Sequence, residues 1–203
     1  MENFDLMAKD FDTNKRTDRA KVIADEIRRH ILADEKSAME FGCGTGLVGL
    51  QLADCFKTLL LLDSSVEMVH QVELKLERLN NPAISTLCCD LLNGAPQNLR
   101  ADYIFSSLVL HHIVDTEAIL RCFHSILNDE GHLLIVDIDK DDGSFHAKYP
   151  DFEGHDGFNH SALRSSTLST GFSNVKIETF YHDSKTFNGK ESPYSLFILD
   201  AIK

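Results

Sequence analysis

Apolar side chains recur along this chain in two rhythms, and the switches between them lay out an alternation of helices and strands. From 16 to 32, Ala20, Ile23, Ala24, Ile27 and Ile31 return at the spacing of one helix face, with Thr13 or Asn14 as N-cap. Short apolar runs of strand length follow near 36–41, 58–62, 84–88, 102–106 and 132–137. Helical spacing fills the intervals near 46–54, 65–79 and 115–127. Strand, helix, strand in repetition implies a parallel sheet with helices on both faces. The tail breaks the rhythm. Residues 175–181 and 194–202 read as two strands joined by a polar turn at Asn188-Gly189 with no helix between them, so they should pair antiparallel.

Composition adds a size and a class of partners to exclude. At 203 residues and 43% hydrophobic content, the chain suits one three-layer core and a single domain, 1–203. No stretch of about 18 apolar residues appears, and the start at Met1 does not look like a signal peptide, so a cytoplasmic location without membrane partners is expected. The five cysteines, 43, 55, 88, 89 and 122, show no C-x-x-C spacing and are odd in number, which argues against a disulfide framework or a metal site. Cys88 and Cys89 are adjacent in a strand and read as apolar filler on opposite faces. The net charge is −12, from 20 basic against 32 acidic residues with no basic run, which disfavours nucleic acid as partner. The one basic stretch, 14–21, is broken by Asp18 and reads as the solvated face of a helix.

Candidate chemistry begins where the first apolar strand runs into Glu40-Phe-Gly-Cys-Gly-Thr-Gly46 and the second ends on Asp63. Glycines at 42, 44 and 46 permit a sharp turn against a ligand, and a strand-end carboxylate at Asp63 suits both hydroxyls of a ribose. This layout serves NAD and S-adenosylmethionine alike, and Gly44-Thr-Gly46-Leu-Val-Gly49 is a literal G-x-G-x-x-G. Two details weigh against NAD. A fixed charge at Glu40 would repel a pyrophosphate but suit an ammonium. Counted from Gly42, the third dinucleotide glycine falls on Leu47.

Here the sequence resembles the class I S-adenosylmethionine-dependent methyltransferases of the small-molecule type, over roughly residues 37–203. Glu40–Gly46 is similar to that family's first motif, and Asp63-Ser-Ser-Val-Glu-Met68 to its D-x-S-x-x-M element. Cys89-Asp90-Leu91 resembles the acidic position after the third strand, 102–113 the fourth strand and its exit, and 127–137 the turn and strand usually written L-x-P-G-G, of which only Gly131 remains. The resemblance implies an α/β, three-layer Rossmann-like doubly wound sheet of about seven strands, mostly parallel with an antiparallel C-terminal hairpin. It also implies S-adenosylmethionine as cofactor, S-adenosylhomocysteine as product, and transfer of the methyl group to a small-molecule acceptor by in-line displacement.

On that resemblance the cofactor-binding residues are Glu40, Gly42, Cys43, Gly44, Thr45, Gly46, Asp63, Ser64, Met68, Asp90, Leu91 and Ser106. Glu40 orders the turn and favours the methionine ammonium, and Asp63 holds the ribose. Asp90 with the Leu91 backbone reads adenine, Met68 packs on its face, and the Ser106 carbonyl lies near the methionine end. Catalytic candidates are His111 and His112, as a base if the acceptor must lose a proton or as a loop anchor. The long polar segment 139–160, with His146, Tyr149, His155 and His160, is a candidate pocket wall or a solvated loop, with no metal spacing. Residues 1–33 are expected to form a helical lid or strap on a core of 34–203, with Phe4, Leu6, Met7 and Phe11 covering the substrate. The alternatives are a noncatalytic module binding the same nucleosides and acting through a protein partner, or a methyltransferase acting on a protein. A homodimer is an expectation of shape alone.

Overall fold

The computed structural model describes residues 4–32, 36–149 and 151–203. The expected lid–core border at 33 and 34 lies outside the described residues. The strands are β1 (Ser37–Phe41), β2 (Thr58–Asp63), β3 (Ile84–Cys88), β4 (Ala101–Ser107), β5 (Leu127–Ile138), β6 (Ser173–Phe187) and β7 (Lys190–Ile202). They form one sheet in the order β3-β2-β1-β4-β5-β7-β6. The first five run parallel, while β7 is antiparallel to both β5 and β6, so the expected α/β doubly wound sheet with its C-terminal hairpin is what the chain adopts. The hairpin turns on Asn188 and Gly189, both at positive φ (50° and 75°), the conformation of a tight primed turn.

Alternation along the strands feeds two cores. Leu134, Val136 and Ile138 of β5 join Leu196 and Ile198 of β7 on one face, where α2 (Asn14–Arg29) supplies Ile23 and Ile27. Leu133 and Ile135 join Phe197 and Leu199 on the other face, beneath Leu120 and Phe123 of α4 (Thr116–Ile126) and Leu163 of α5 (His160–Ser169). Each such fully buried side chain contributes about 1.5–3 kcal/mol, and covering both faces is what a parallel sheet requires. Thr13 caps α2 by accepting the Arg16 N–H, and Ser65 caps α3 (Val66–Leu79) by accepting that of Met68. Among the described residues no helix is long and apolar enough to cross a membrane.

Several expectations are corrected. Residues 46–54 do not form an α-helix but a run of turns ending in two 3₁₀ turns, Gly49–Gln51 and Ala53–Cys55. Glycines at 46 and 49 lower helix propensity there, and the Gly49 N–H is taken by the Glu40 side chain. The 127–131 segment is the start of β5 rather than a turn, with Glu130 at φ +60° absorbing the irregularity. Helix α5 was not anticipated, because its Ser- and Thr-rich sequence carries a weak apolar stripe; Asn159 caps it. Cys88 is exposed rather than packed, and all five thiols are free. The basic stretch keeps Lys15 and Lys21 exposed, as a solvated face does, yet Lys15 also pairs with Asp183 at 3.1 Å and Arg19 donates to the Tyr194 hydroxyl, fastening α2 to the hairpin.

Candidate functional site

The carboxyl ends of the parallel strands meet where the order reverses between β1 and β4, the place where such sheets hold ligands. Beyond Phe41 the chain turns through Gly42, Gly44 and Gly46 at φ +70°, +52° and +79°. A Cβ at Gly42 would collide with the Val109 side chain, so this corner is closed, whereas one at Gly44 would meet only the Phe11 ring at 3.8 Å. The Cys43 N–H donates to the Leu62 carbonyl at 2.9 Å, tying the turn to β2; its buried thiol, pushed up in pKa by desolvation, packs as an apolar group. Asp63 accepts from the Gly44 N–H at 2.8 Å and from the Ser65 N–H at 2.9 Å. Burial raises its pKa, and the carboxyl keeps acceptor capacity for a ligand beyond its backbone partners.

Glu40, expected to order the turn and favour the methionine ammonium, lies inside the fold. Its side chain is 1% exposed and accepts from the Gly49 N–H at 3.1 Å, and burial pushes its pKa well above the carboxylate range. A Cβ at Gly49 would collide with that carboxyl and sit 2.5 Å from Leu61, so the glycine is what lets the turn close over Glu40.

Thr45 is buried and donates its hydroxyl to Asp12, Ser64 is exposed, and Met68 is buried on α3. Asp90 is exposed and accepts from Leu92 N–H at 3.0 Å and from the Asn93 amide, while Leu91 beside it is buried. Ser106 is buried and donates its hydroxyl to the Phe41 carbonyl at 2.9 Å, joining β4 to the glycine turn.

His111 and His112 stand on a 3₁₀ turn just past β4, reached through Leu108 at φ +57°, a conformation costly for a leucine. His111 Nδ1 lies 2.7 Å from Oδ1 of the fully buried Asp137, whose Oδ2 accepts the His111 N–H. That bond fixes the tautomer and leaves Nε2 as the basic atom of the ring. Asp137 went unnoticed as a site residue although it ends an apolar strand as Asp63 does. Burial, and next the neighbouring His111, push His112 down to about 3, so it is neutral. Residues 139–149 and 151–160 bring His146 and Phe152 to the pair: the His111 and His146 rings are 5.0 Å apart, and Phe152 stacks on His146 at 3.7 Å. His155 instead anchors this segment, its N–H donating to the His111 carbonyl at 2.7 Å, and His160 pairs with Asp139. Tyr149 donates its N–H to the His146 carbonyl at 2.7 Å.

Residues 4–12 lie across this region. Asp5 of α1 (Phe4–Met7) accepts from the Ser65 hydroxyl and the Glu67 N–H, and Phe4 sets its edge on His112 with centroids 5.4 Å apart. Asp12 accepts from Thr45 and from Lys75 at 2.7 Å, and Lys75 also donates to the Thr45 carbonyl. Leu6 departs from the expected covering role, being 81% exposed.

A family profile described as a methyltransferase domain matches residues 15–177. The chain is 26% identical over 155 residues to an uncharacterised methyltransferase of Schizosaccharomyces pombe, covering 70% of this chain and 55% of that one. It spans about half the length of the first relatives that it matches. Among solved structures it resembles the methyltransferase component of a Haloferax volcanii complex with the Trm112 methyltransferase activator, at TM-score 0.76 and 16% identity, over 100% of this chain and 98% of that one. It also resembles a Haemonchus contortus phosphoethanolamine N-methyltransferase solved with phosphomonomethylethanolamine and S-adenosylhomocysteine, at TM-score 0.71 and 15% identity, over 88% of this chain and 52% of that one. At these identities the structural likenesses establish a common fold.

Proposed function

Because this chain belongs to the methyltransferase-domain family, we propose that it transfers the methyl group of S-adenosylmethionine to a small-molecule acceptor. The observation that carries the reading is the coupling of Asp63 to Gly44: a strand-end carboxylate holds the one corner of the glycine turn whose outer face is open. The residues present fit the nucleoside. Spare lone pairs on Asp63 suit the two ribose hydroxyls, and Asp90 stands exposed at the end of the neighbouring strand for the adenine amine. Gly42, Cys43, Gly44, Thr45 and Gly46 bring backbone close to the methionine portion with the Ser106 carbonyl near it, Ser64 stands beside Asp63, and Met68 and the Leu91 backbone serve the adenine. Glu40 serves through the turn that it holds shut rather than as a counter-ion.

When bound, S-adenosylmethionine supplies an activated methyl group, so the protein's work is to hold the acceptor in line and to exclude water. His111, oriented by Asp137, takes the acceptor's proton at Nε2 where one must be lost. Phe4–Asp12 closes over both parts of the site as a lid, clasped by Asp5 and Asp12. A protein activator is a second partner class, supported by the Haloferax neighbour that matches the whole of this chain.

Isothermal titration with S-adenosylhomocysteine tests this reading. Binding is expected, weakened at least tenfold in Asp63→Asn, about 1.4 kcal/mol, because one ribose acceptor becomes a donor. No binding to the wild-type chain would overturn it.

A further inference from the structure

Both ring nitrogens of His146 are buried and have no hydrogen-bond partner among the described residues. The side chain is only 5% exposed, and leaving polar atoms unpaired at that depth costs stability unless something else pairs them. Its surroundings say what that could be. Phe152 lies flat on the ring at 3.7 Å, Phe145 meets it edge-on at 4.9 Å, and the His111 and His112 rings stand 5.0 and 6.2 Å away. Phe4 closes the far side against His112. An aromatic enclosure of this kind selects a flat, unsaturated ligand.

Charge narrows the class. Lys185 Nζ sits 3.0 Å from the Phe145 ring centre and adds a positive field. The carboxylates nearest His146 are already engaged: Asp137 with His111 and the Ile138 N–H, and Asp141 with the N–H groups of Gly143 and Phe145. A cationic amine here would face the Lys185 ammonium and would have to share carboxylate oxygens that are already hydrogen-bonded within the fold. A neutral imidazole, by contrast, offers one donor and one acceptor nitrogen, the complement of a hydroxyl. Burial, followed by His111 and Lys185, holds His146 down to about 4 and so keeps it neutral.

We propose that His146 recognises the methyl acceptor, and that the acceptor is an aromatic hydroxyl compound whose ring takes the place of Phe152 against the imidazole. The inference rests on the methyl-transfer reading for the identity of the site. The hydroxyl is held between His146 and the His111–Asp137 pair; its proton passes to Nε2 of His111, and the oxygen's electron pair would form the bond to the methyl carbon as the methyl–sulfur bond breaks, its electrons leaving on the sulfur of S-adenosylhomocysteine. The exchange requires the Phe152 side chain to swing off the imidazole, while the backbone beyond it stays seated on the His111 carbonyl through the His155 N–H at 2.7 Å.

The test uses 4-methylphenol and benzylamine, matched in size and opposite in character, titrated into the S-adenosylhomocysteine-loaded protein while the histidine Cε1–H resonances are followed by NMR. The His146 signal is assigned by its loss in His146→Phe, which keeps the ring and removes both nitrogens. We expect 4-methylphenol to shift that signal, benzylamine to leave it unmoved, and His146→Phe to weaken phenol binding at least tenfold without lowering the thermal midpoint or S-adenosylhomocysteine affinity. An unshifted His146 signal, equal or stronger binding of benzylamine, unchanged phenol affinity in the variant, or a variant whose midpoint falls would each overturn the proposal. Failure to bind S-adenosylhomocysteine sinks the methyl-transfer reading instead, and phenol binding to the unloaded protein then still reports on His146.

Discussion

Glu40 shows how burial changes what one side chain does. Its carboxyl serves as an acceptor for a single backbone N–H inside the fold, a task that needs no charge. The folded state binds its proton more tightly than the unfolded chain does, since burial raises the pKa well above 4.5. That contribution is complete below the unfolded carboxylate range and is lost as the pH rises through and beyond it. Glu40→Gln keeps the acceptor and removes the titration. The variant should therefore match the wild type near pH 4 and become the more stable of the two toward pH 7, read as urea midpoints across that range. A wild type that gains on the variant as the pH rises would refute the account.

The attachment of α2 to the β6–β7 hairpin is the corresponding case for packed segments. Lys15 pairs with Asp183, and Tyr194 accepts from Arg19 while donating to Asp183 at 2.9 Å. Burial works to raise the Asp183 carboxyl, but the Ser184 N–H, the Tyr194 hydroxyl and the Lys15 ammonium outweigh it and hold it at about 2. A carboxylate depressed on folding adds stability above its unfolded pKa near 3.8, lost as the pH falls toward 2. Asp183 is partly exposed, so solvent limits the effect to about 1 kcal/mol. Wild type should lose that advantage over Asp183→Asn between pH 5 and pH 2.5 in thermal unfolding, and a constant difference would contradict it.

For the molecule as a unit, ligand binding and the N-terminal segment should be coupled. Phe4–Asp12 reaches Ser65, Thr45, Lys75 and His112, groups drawn from three separate connections at the strand ends. A ligand lying between those connections and the segment must order both. At about 100 times its dissociation constant S-adenosylhomocysteine should add about 2.7 kcal/mol to stability. Amide exchange should slow over 4–12 together with 42–46 and 63–66. Protection confined to the glycine turn would show that the segment is a strap and not a lid.

The sheet was legible because its signals are local. Alternation in Leu133–Ile138 and Leu196–Leu199 needs only neighbouring residues to declare two buried faces, and the glycine turn and Asp63 each sit at the end of a strand visible as an apolar run. The turns over 46–55 and the unforeseen α5 show the limit of such signals, since glycine and serine leave backbone state to whatever packs nearby. The pairing of His111 with Asp137, the landing of Asp5 and Asp12 on Ser65 and Thr45, and the approach of His146 to His111 join residues far apart in the chain. Local apolar spacing therefore determined the layers and the mouth of the site. Only tertiary structure decided which polar groups face one another there, because β4 and β5 must first lie side by side before a carboxylate on one can orient an imidazole beyond the other.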